Sequence, residues 1–160
     1  MSLVVLGLNH QTAPVDLRER VSVAEIQQEQ ALKSLMQEPG VHHAVLLSTC
    51  NRTEIYCHIE REHGHVFGPW LDRQHDIEPD TLNGYLYMHQ GEQAVKHLFR
   101  VASGLDSLIM GEPQILGQVK QAWSLAKQQN SVQGILDRLF QQTFAMAART
   151  ESTAAAIESD

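Results

Sequence analysis

The stretch Ser48-Thr-Cys-Asn-Arg-Thr-Glu54 sets a thiol among hydrogen-bonding side chains at the end of an apolar run. A buried structural cysteine ordinarily sits among apolar neighbours and behaves as a small hydrophobe. Cys50 instead has Thr49 and Asn51 on either side and Arg52 two positions on. A guanidinium nearby favours the thiolate, the form that attacks carbon. These residue types point to a nucleophile, set against the plainer reading of an inert loop cysteine. Cys57, between Tyr56 and His58 in an alternating stretch, reads as packing. With no Cys-x-x-Cys spacing, the two thiols suggest neither a zinc site nor a thioredoxin-type pair.

Nine histidines supply further candidates. His97 follows Lys96 in a helical pattern, and packing is its default role. His10, in Asn9-His-Gln11, reads as structural or close to a substrate. His42-His43 and His63-x-His65 lack a further Cys, His or carboxylate at the spacing of a zinc site, so no metal is expected.

The elements that must position these groups are legible from periodicity. Leu3–Asn9 reads as a buried strand, broken at Thr12-Ala-Pro14, with a helical turn over Asp16–Arg20. Ser22 and Glu25 form a capping-box pattern. It opens a helix with apolar positions at Ile26, Leu32, Leu35 and Met36, which ends at Pro39-Gly40. Strands are expected over Val41–Ser48 and Glu54–Ile59, joined by the loop that carries Cys50. A helix over Val66–Gln74 and a strand over Tyr85–His89 complete β-α-β-β-α-β. That order predicts an α+β fold with a ferredoxin-like, split βαβ antiparallel sheet. Ala94–Leu105, Ile115–Gln129 and Val132–Ala148 then read as helices. The expected division is a sheet core over 1–90, a helical section over 91–149, and a truncated linker or tail over 150–160.

The chain of 160 residues is long enough to bury a core without disulfides or metal. No apolar run approaches the ~20 residues that span a bilayer. The N-terminus has no basic region or cleavage site. A cytoplasmic protein without membrane contact is therefore expected, and a reducing compartment argues against a disulfide. The net charge of −7 counts against a general polyanion binder, although Arg18, Arg20, Lys96, Arg100, Lys120 and Lys127 leave local basic groups. No Gly-x-Gly-x-x-Gly follows a strand.

Three blocks change that assessment. Gly7-Leu-Asn-His-Gln-Thr-Ala-Pro14 with Leu17-Arg-Glu19 comes first, and Ser48–Glu54 second. His97-Leu-Phe-Arg-Val-Ala-Ser-Gly-Leu-Asp-Ser107, continued by Gly111-Glu-Pro-Gln-Ile-Leu-Gly-Gln118, is the third. In order and spacing, over residues 3 to about 148, they resemble the N-terminal catalytic domain of glutamyl-tRNA reductase. Beyond Phe144 the tail departs from the family pattern, reading Ala148-Arg-Thr-Glu-Ser-Thr153 and then three alanines.

The resemblance implies that Cys50 displaces tRNA from the glutamyl ester and holds the acyl group as a thioester. NADPH would reduce it to glutamate-1-semialdehyde, the first step of tetrapyrrole synthesis from glutamate. By matched position, Thr49, Asn51, Arg52, Ser107, Glu112, Pro113, Gln114 and Gln118 would bind substrate. Arg52 suits the glutamyl carboxylate, Glu112 suits an ammonium group, and His97 would assist proton transfer or polarise the carbonyl. Read without the resemblance, Ser107 and Gln118 are polar helix-surface residues and Glu112-Pro113 is a helix start. The implied partners are glutamyl-tRNA and glutamate-1-semialdehyde aminomutase, with a homodimeric full-length enzyme. NADPH-binding and dimerisation domains would lie outside this chain. Two alternatives remain open: a cysteine-dependent glutamyl-tRNA esterase, and a non-catalytic tRNA-binding module.

Overall fold

The apolar run at the N-terminus becomes the strand β1 (Ser2–Asn9), an inner strand flanked on both sides. The computed structural model describes residues 2–60, 67–106 and 114–159, with side chains through residue 149. The order continues with α1 (Val15–Val21), α2 (Glu25–Met36), β2 (Val41–Ser48), β3 (Arg52–Ile59), α3 (Phe67–Gln74) and β4 (Tyr87–Gln90). Three helices follow: α4 (Glu92–Ala102), α5 (Ile115–Gln128) and α6 (Gly134–Ser159). The strands line up as β2-β3-β1-β4, with every neighbouring pair antiparallel. This is the α+β split βαβ arrangement expected from the sequence. α6 runs on through the stretch read as a tail.

The pairing register decides which side chains share a face. Asn9 stands opposite Arg52, Gly7 opposite both Glu54 and Tyr87, and Val5 opposite Tyr56 and His89. Because side chains alternate along a strand, Arg52, Glu54 and Tyr56 all point to one face. That face meets the C-terminal helices: Tyr56 packs edge-on against Phe140 of α6, and Glu54 meets His97 of α4. The opposite face meets the N-terminal helices, where Thr53 Oγ1 lies 3.5 Å from the Val21 carbonyl. A single cluster of buried side chains runs from Val4 to Phe140 and joins both layers. The outer edge of β2 is closed by the α5–α6 connection. Ala44 N–H donates to the Ser131 carbonyl at 2.8 Å, and the Ser131 hydroxyl donates back to the Ala44 carbonyl at 2.9 Å.

Local differences from the sequence reading have clear causes. Ser22 does not cap α2. Its hydroxyl donates to the Glu19 carbonyl at the end of α1, and Ala24 stands at the start of α2. The Val23 N–H donates to Ser48 Oγ, which holds the chain extended between the two helices. Ile26 is 90% exposed, because the buried face of α2 is Ala31, Leu32 and Leu35. β3 begins at Arg52, since Thr49 N–H donates to the Arg52 carbonyl and shortens the Cys50 loop to a tight turn. α4 stops at Ala102, where Gly104 at φ 78° turns the chain away.

Gly7 is required by close approach. A Cβ there would lie 2.6 Å from the Thr53 carbonyl oxygen and 2.8 Å from Glu54 Cγ. The space a side chain would take is filled by Glu54. We expect Gly7→Ala to lower stability by about 1–3 kcal/mol through overpacking, read as a lower urea midpoint. An unchanged midpoint would show that Glu54 can move aside freely.

Candidate functional site

The ends of β1, β2 and β3 meet the tight turn Thr49–Asn51, and this corner gathers the chemistry. In the turn, Asn51 N–H donates to Thr49 Oγ1 at 3.2 Å, and Thr49 itself is buried. That local bond fixes the backbone on both sides of Cys50 and leaves its thiol exposed. Ser48 Oγ and Thr53 Oγ1, 3.1 Å apart, pin the base of the turn. Cys57, by contrast, is buried, and burial pushes its thiol well above the ordinary range. Of the two thiols, Cys50 is the one a substrate can reach.

A cavity of about 770 Å³ lies against this turn, lined by Thr49, Cys50, Asn51, Gln118 and residues of α1 and the α1–α2 connection. A second cavity, of about 400 Å³, contains His97, Asp106, His89, Tyr87, Lys96 and Arg100. Among the described residues, none lines both. Of these residues, Cys50 lines the first cavity and His97 the second, and Arg52 stands in the interior.

Arg52 is 1% exposed. Its Nη1 meets Asp106 Oδ2 at 3.0 Å and Glu54 Oε2 at 3.5 Å, and its Nη2 donates to the Asp106 carbonyl at 2.7 Å. The planar fork thus grips Asp106, on the connection after α4. The Arg52 Nε is buried and makes no hydrogen bond. Arg52→Lys keeps the charge and loses the fork. It should cost about 1.5–3 kcal/mol, the value of hydrogen bonds to charged groups, seen as a lower thermal midpoint. Parent-like stability would show that the grip on Asp106 contributes little.

Glu54, wholly buried, is the acceptor at the centre. Tyr56 donates to its Oε1 at 2.7 Å, while the Tyr87 hydroxyl and His97 Nε2 both meet its Oε2. Burial alone would raise this carboxyl, but the hydrogen bond and charge of His97, with Arg52 and Tyr87, hold it down at about 2. Burial, and then the Glu54 charge, push the hydroxyls of Tyr56 and Tyr87 the other way. An ionised carboxylate only accepts, so His97 Nε2 must carry a proton. Any basic role for this ring falls to its Nδ1. The His97 ring also lies 4.7 Å from that of His89 and 5.4 Å from that of Tyr87.

The expected site residues are thus distributed as follows. Thr49, Cys50, Asn51 and Gln118 share one cavity, and His97 lines the other. Arg52 is interior, and Gln114 is exposed at the N-terminal end of α5. Ser107, Glu112 and Pro113 lie outside the described residues. Sequence reasoning missed Glu54, Tyr87 and Asp106. One signal was available: Arg52 and Glu54 are two apart in a strand, hence on one face, and stand just ahead of Ile55-Tyr56-Cys57. Nothing local marked Tyr87 or Asp106.

Among the described residues, no group of three His, Cys, Asp or Glu is placed to hold a metal ion, and no helix is long and apolar enough to cross a membrane. His63 and His65 lie outside them. The described residues do not fit a dinucleotide. Neighbouring strands are all antiparallel, and the space beside Gly7 is filled by Glu54 rather than open to a phosphate.

Comparisons with known proteins agree with one another. Residues 6–154 match the family model described as glutamyl-tRNAGlu reductase, N-terminal domain, which carries the match past Ala148. The chain is 55% identical over 152 residues to a glutamyl-tRNA reductase of Xanthomonas campestris pv. phaseoli, covering 95% of this chain and 34% of that protein. It is 54% identical over 147 residues to the enzyme of the same name from Idiomarina loihiensis, covering 92% and 34%. The solved glutamyl-tRNA reductase from Methanopyrus kandleri superposes with a TM-score of 0.79 at 30% identity, over 94% of this chain and 34% of that one. The chain spans about a third of the length of these relatives.

Proposed function

From a chain that belongs to the glutamyl-tRNA reductase family through its N-terminal domain, we infer that these residues carry the acyl-transfer half of that enzyme's reaction. The observation that carries this reading is the exposed Cys50 thiol, held in a tight turn and facing a cavity, while Cys57 is sealed inside the sheet. The substrate is glutamyl-tRNA, whose ester is an activated acyl donor. Cys50 Sγ forms a bond to the ester carbonyl carbon, and the carbon–oxygen bond to the terminal ribose breaks. The ribose oxygen takes up one proton, matching the one the thiol gave up. The glutamyl group remains on Cys50 as a thioester.

In this reading Thr49, Asn51 and Gln118, with Ser107, Glu112, Pro113 and Gln114, contact the substrate. Arg52, held by Asp106 and Glu54, supports the interior of the site behind them. His97 is oriented by Glu54 and presents Nδ1 for proton transfer. The hydride that converts the thioester to glutamate-1-semialdehyde would come from NADPH held outside these residues. The same larger protein would then act as a homodimer and pass its aldehyde to glutamate-1-semialdehyde aminomutase, opening tetrapyrrole synthesis in the cytoplasm. Residues 1–90 and 91–149 form the sheet and helical parts of this catalytic domain, and 150–160 lead out of it.

The test is direct. Mixing the protein with glutamyl-tRNA in the absence of NADPH, followed by acid quench and peptide mass spectrometry, is expected to show a glutamyl adduct on Cys50. An adduct on Cys57, or none, would overturn the reading. Slow release of glutamate should follow as water resolves the thioester.

A further inference from the structure

We propose that the trough between α2 and α5 takes the unpaired 3′-terminal nucleosides of the aminoacylated RNA and reads their bases rather than their phosphates. The proposal rests on Cys50 as the acyl acceptor and extends that site to the leaving group.

An ester presents two sides to its attacker. With Cys50 Sγ at the carbonyl, the acyl part must lie one way and the ribose with its base the other. The cavity at Cys50 continues into a trough of about 720 Å³, because Val23, Ser48 and Gln118 line both. Among the described residues, the cavity around His97 shares none with either. A nucleoside is far bulkier than an amino-acyl group. A trough of this size suits a drug-sized ligand, so the long continuous path fits the alcohol side.

The lining has the chemistry of base contact. Ile26, at 90% exposure, lines the trough and offers an apolar surface for a base. Gln28, Gln121 and Gln128 line it as well. Each amide carries both donors and an acceptor, the pattern that pairs with the mixed edges of adenine and cytosine. The Gln118 Oε1, at the junction of the two cavities, is buried with no hydrogen-bond partner. Charge argues against a phosphate track. Lys120 is the one cation among the described lining residues, set against Glu25 and Glu29, and Glu29 pairs with Lys33 at 3.0 Å. Phosphate affinity comes from Lys and Arg that neutralise the backbone.

Ile26→Glu and Gln121→Ala, both at exposed positions, test the assignment in the intact protein. Cys50 acylation is timed at subsaturating glutamyl-tRNA and, separately, with the α-ethyl thioester of glutamate, which has no nucleoside. A loss of about tenfold with glutamyl-tRNA is expected, on the scale of one stacked base. The small thioester should react at the parent rate, and the salt dependence should not change. Rates with glutamyl-tRNA within twofold of the parent would overturn the proposal. So would an equal loss with the small thioester, or a weakened salt dependence. A photoreactive benzoylphenylalanine in place of Ile26 gives a readout that does not need Cys50 to react. Cross-links to the last two nucleotides of the RNA support the trough even if the acyl-acceptor reading fails. Cross-links elsewhere on the RNA, or to another protein chain, sink it.

Discussion

Cys50→Ser should abolish glutamyl transfer, with a fall of roughly a thousandfold or more in the rate of adduct formation. A serine hydroxyl at neutral pH is a far weaker nucleophile than a thiolate. A serine would need an adjacent base, and among the described residues lining the Cys50 cavity none is a histidine. The fold should be indifferent. The side chain is exposed and the turn is held by Thr49 and the Ser48–Thr53 contact, so stability should stay within about 0.5 kcal/mol of the parent. Cys57→Ser should show the reverse pattern. It places a hydroxyl in the interior of the sheet, at a cost of about 1–3 kcal/mol, and leaves acylation intact. Quenched-flow mass spectrometry beside thermal melts separates the two. A Cys50→Ser protein that retains more than a few per cent of the rate would place the nucleophile elsewhere.

The largest effect on stability should come from Glu54→Gln. Tyr56, Tyr87, His97 and Arg52 all present donors to this carboxylate, and a neutral amide takes away the charge that Arg52 and His97 face and one of the two accepting oxygens. Removing one partner of a buried charged cluster costs about 3–5 kcal/mol, because the remaining charge is left uncompensated. The same cluster gives stability a pH signature. The Glu54 carboxyl is held at about 2 in the folded protein, against an ordinary value of 4.5. A group lowered on folding stabilises fully above its unfolded value and loses that contribution as pH falls toward the folded one. The window is therefore between about pH 5 and pH 2, and the contribution is on the order of 3 kcal/mol. Urea midpoints across that range should fall more steeply for the parent than for Glu54→Gln. Parallel curves would show that Glu54 titrates no differently in the folded and unfolded chains.

Local order was readable from the sequence because the relevant signals are local. The apolar run of β1, the alternation of β3 and the helical spacing of α4 to α6 each depend on a few neighbouring residues, and the strand order followed from them. The Cys50 loop was equally legible, since its composition contrasts with the strand before it. The buried cluster was not. Glu54 draws Arg52 and Tyr56 from its own strand face and the others, Tyr87 and His97, from thirty or more positions away. Those pairings depend on register, which no local pattern supplies. Ser22 shows the opposite failure. A correct local motif lost to a competing bond, because Ser48 fixed the Val23 N–H and moved the helix start. Arg52 was read as the partner of a glutamyl carboxylate; in the fold its fork meets Asp106, which arrives from beyond α4.

The central position of β1 has a bearing on how the chain is made. It is the first of these four strands to be made, yet Asn9 must wait for Arg52, and Ser2 for Ile59. Its other edge waits for Tyr87 to Gln90. At ~5–20 residues per second the nascent apolar run stands with both edges unpaired for several seconds. The β2–β3 hairpin, whose closure takes microseconds, can form as soon as Ile59 emerges and then offers β1 its first template. Until then the apolar run Leu3–Leu8 is open to association with other chains, and that exposure lengthens with every pause before Ile59 is made.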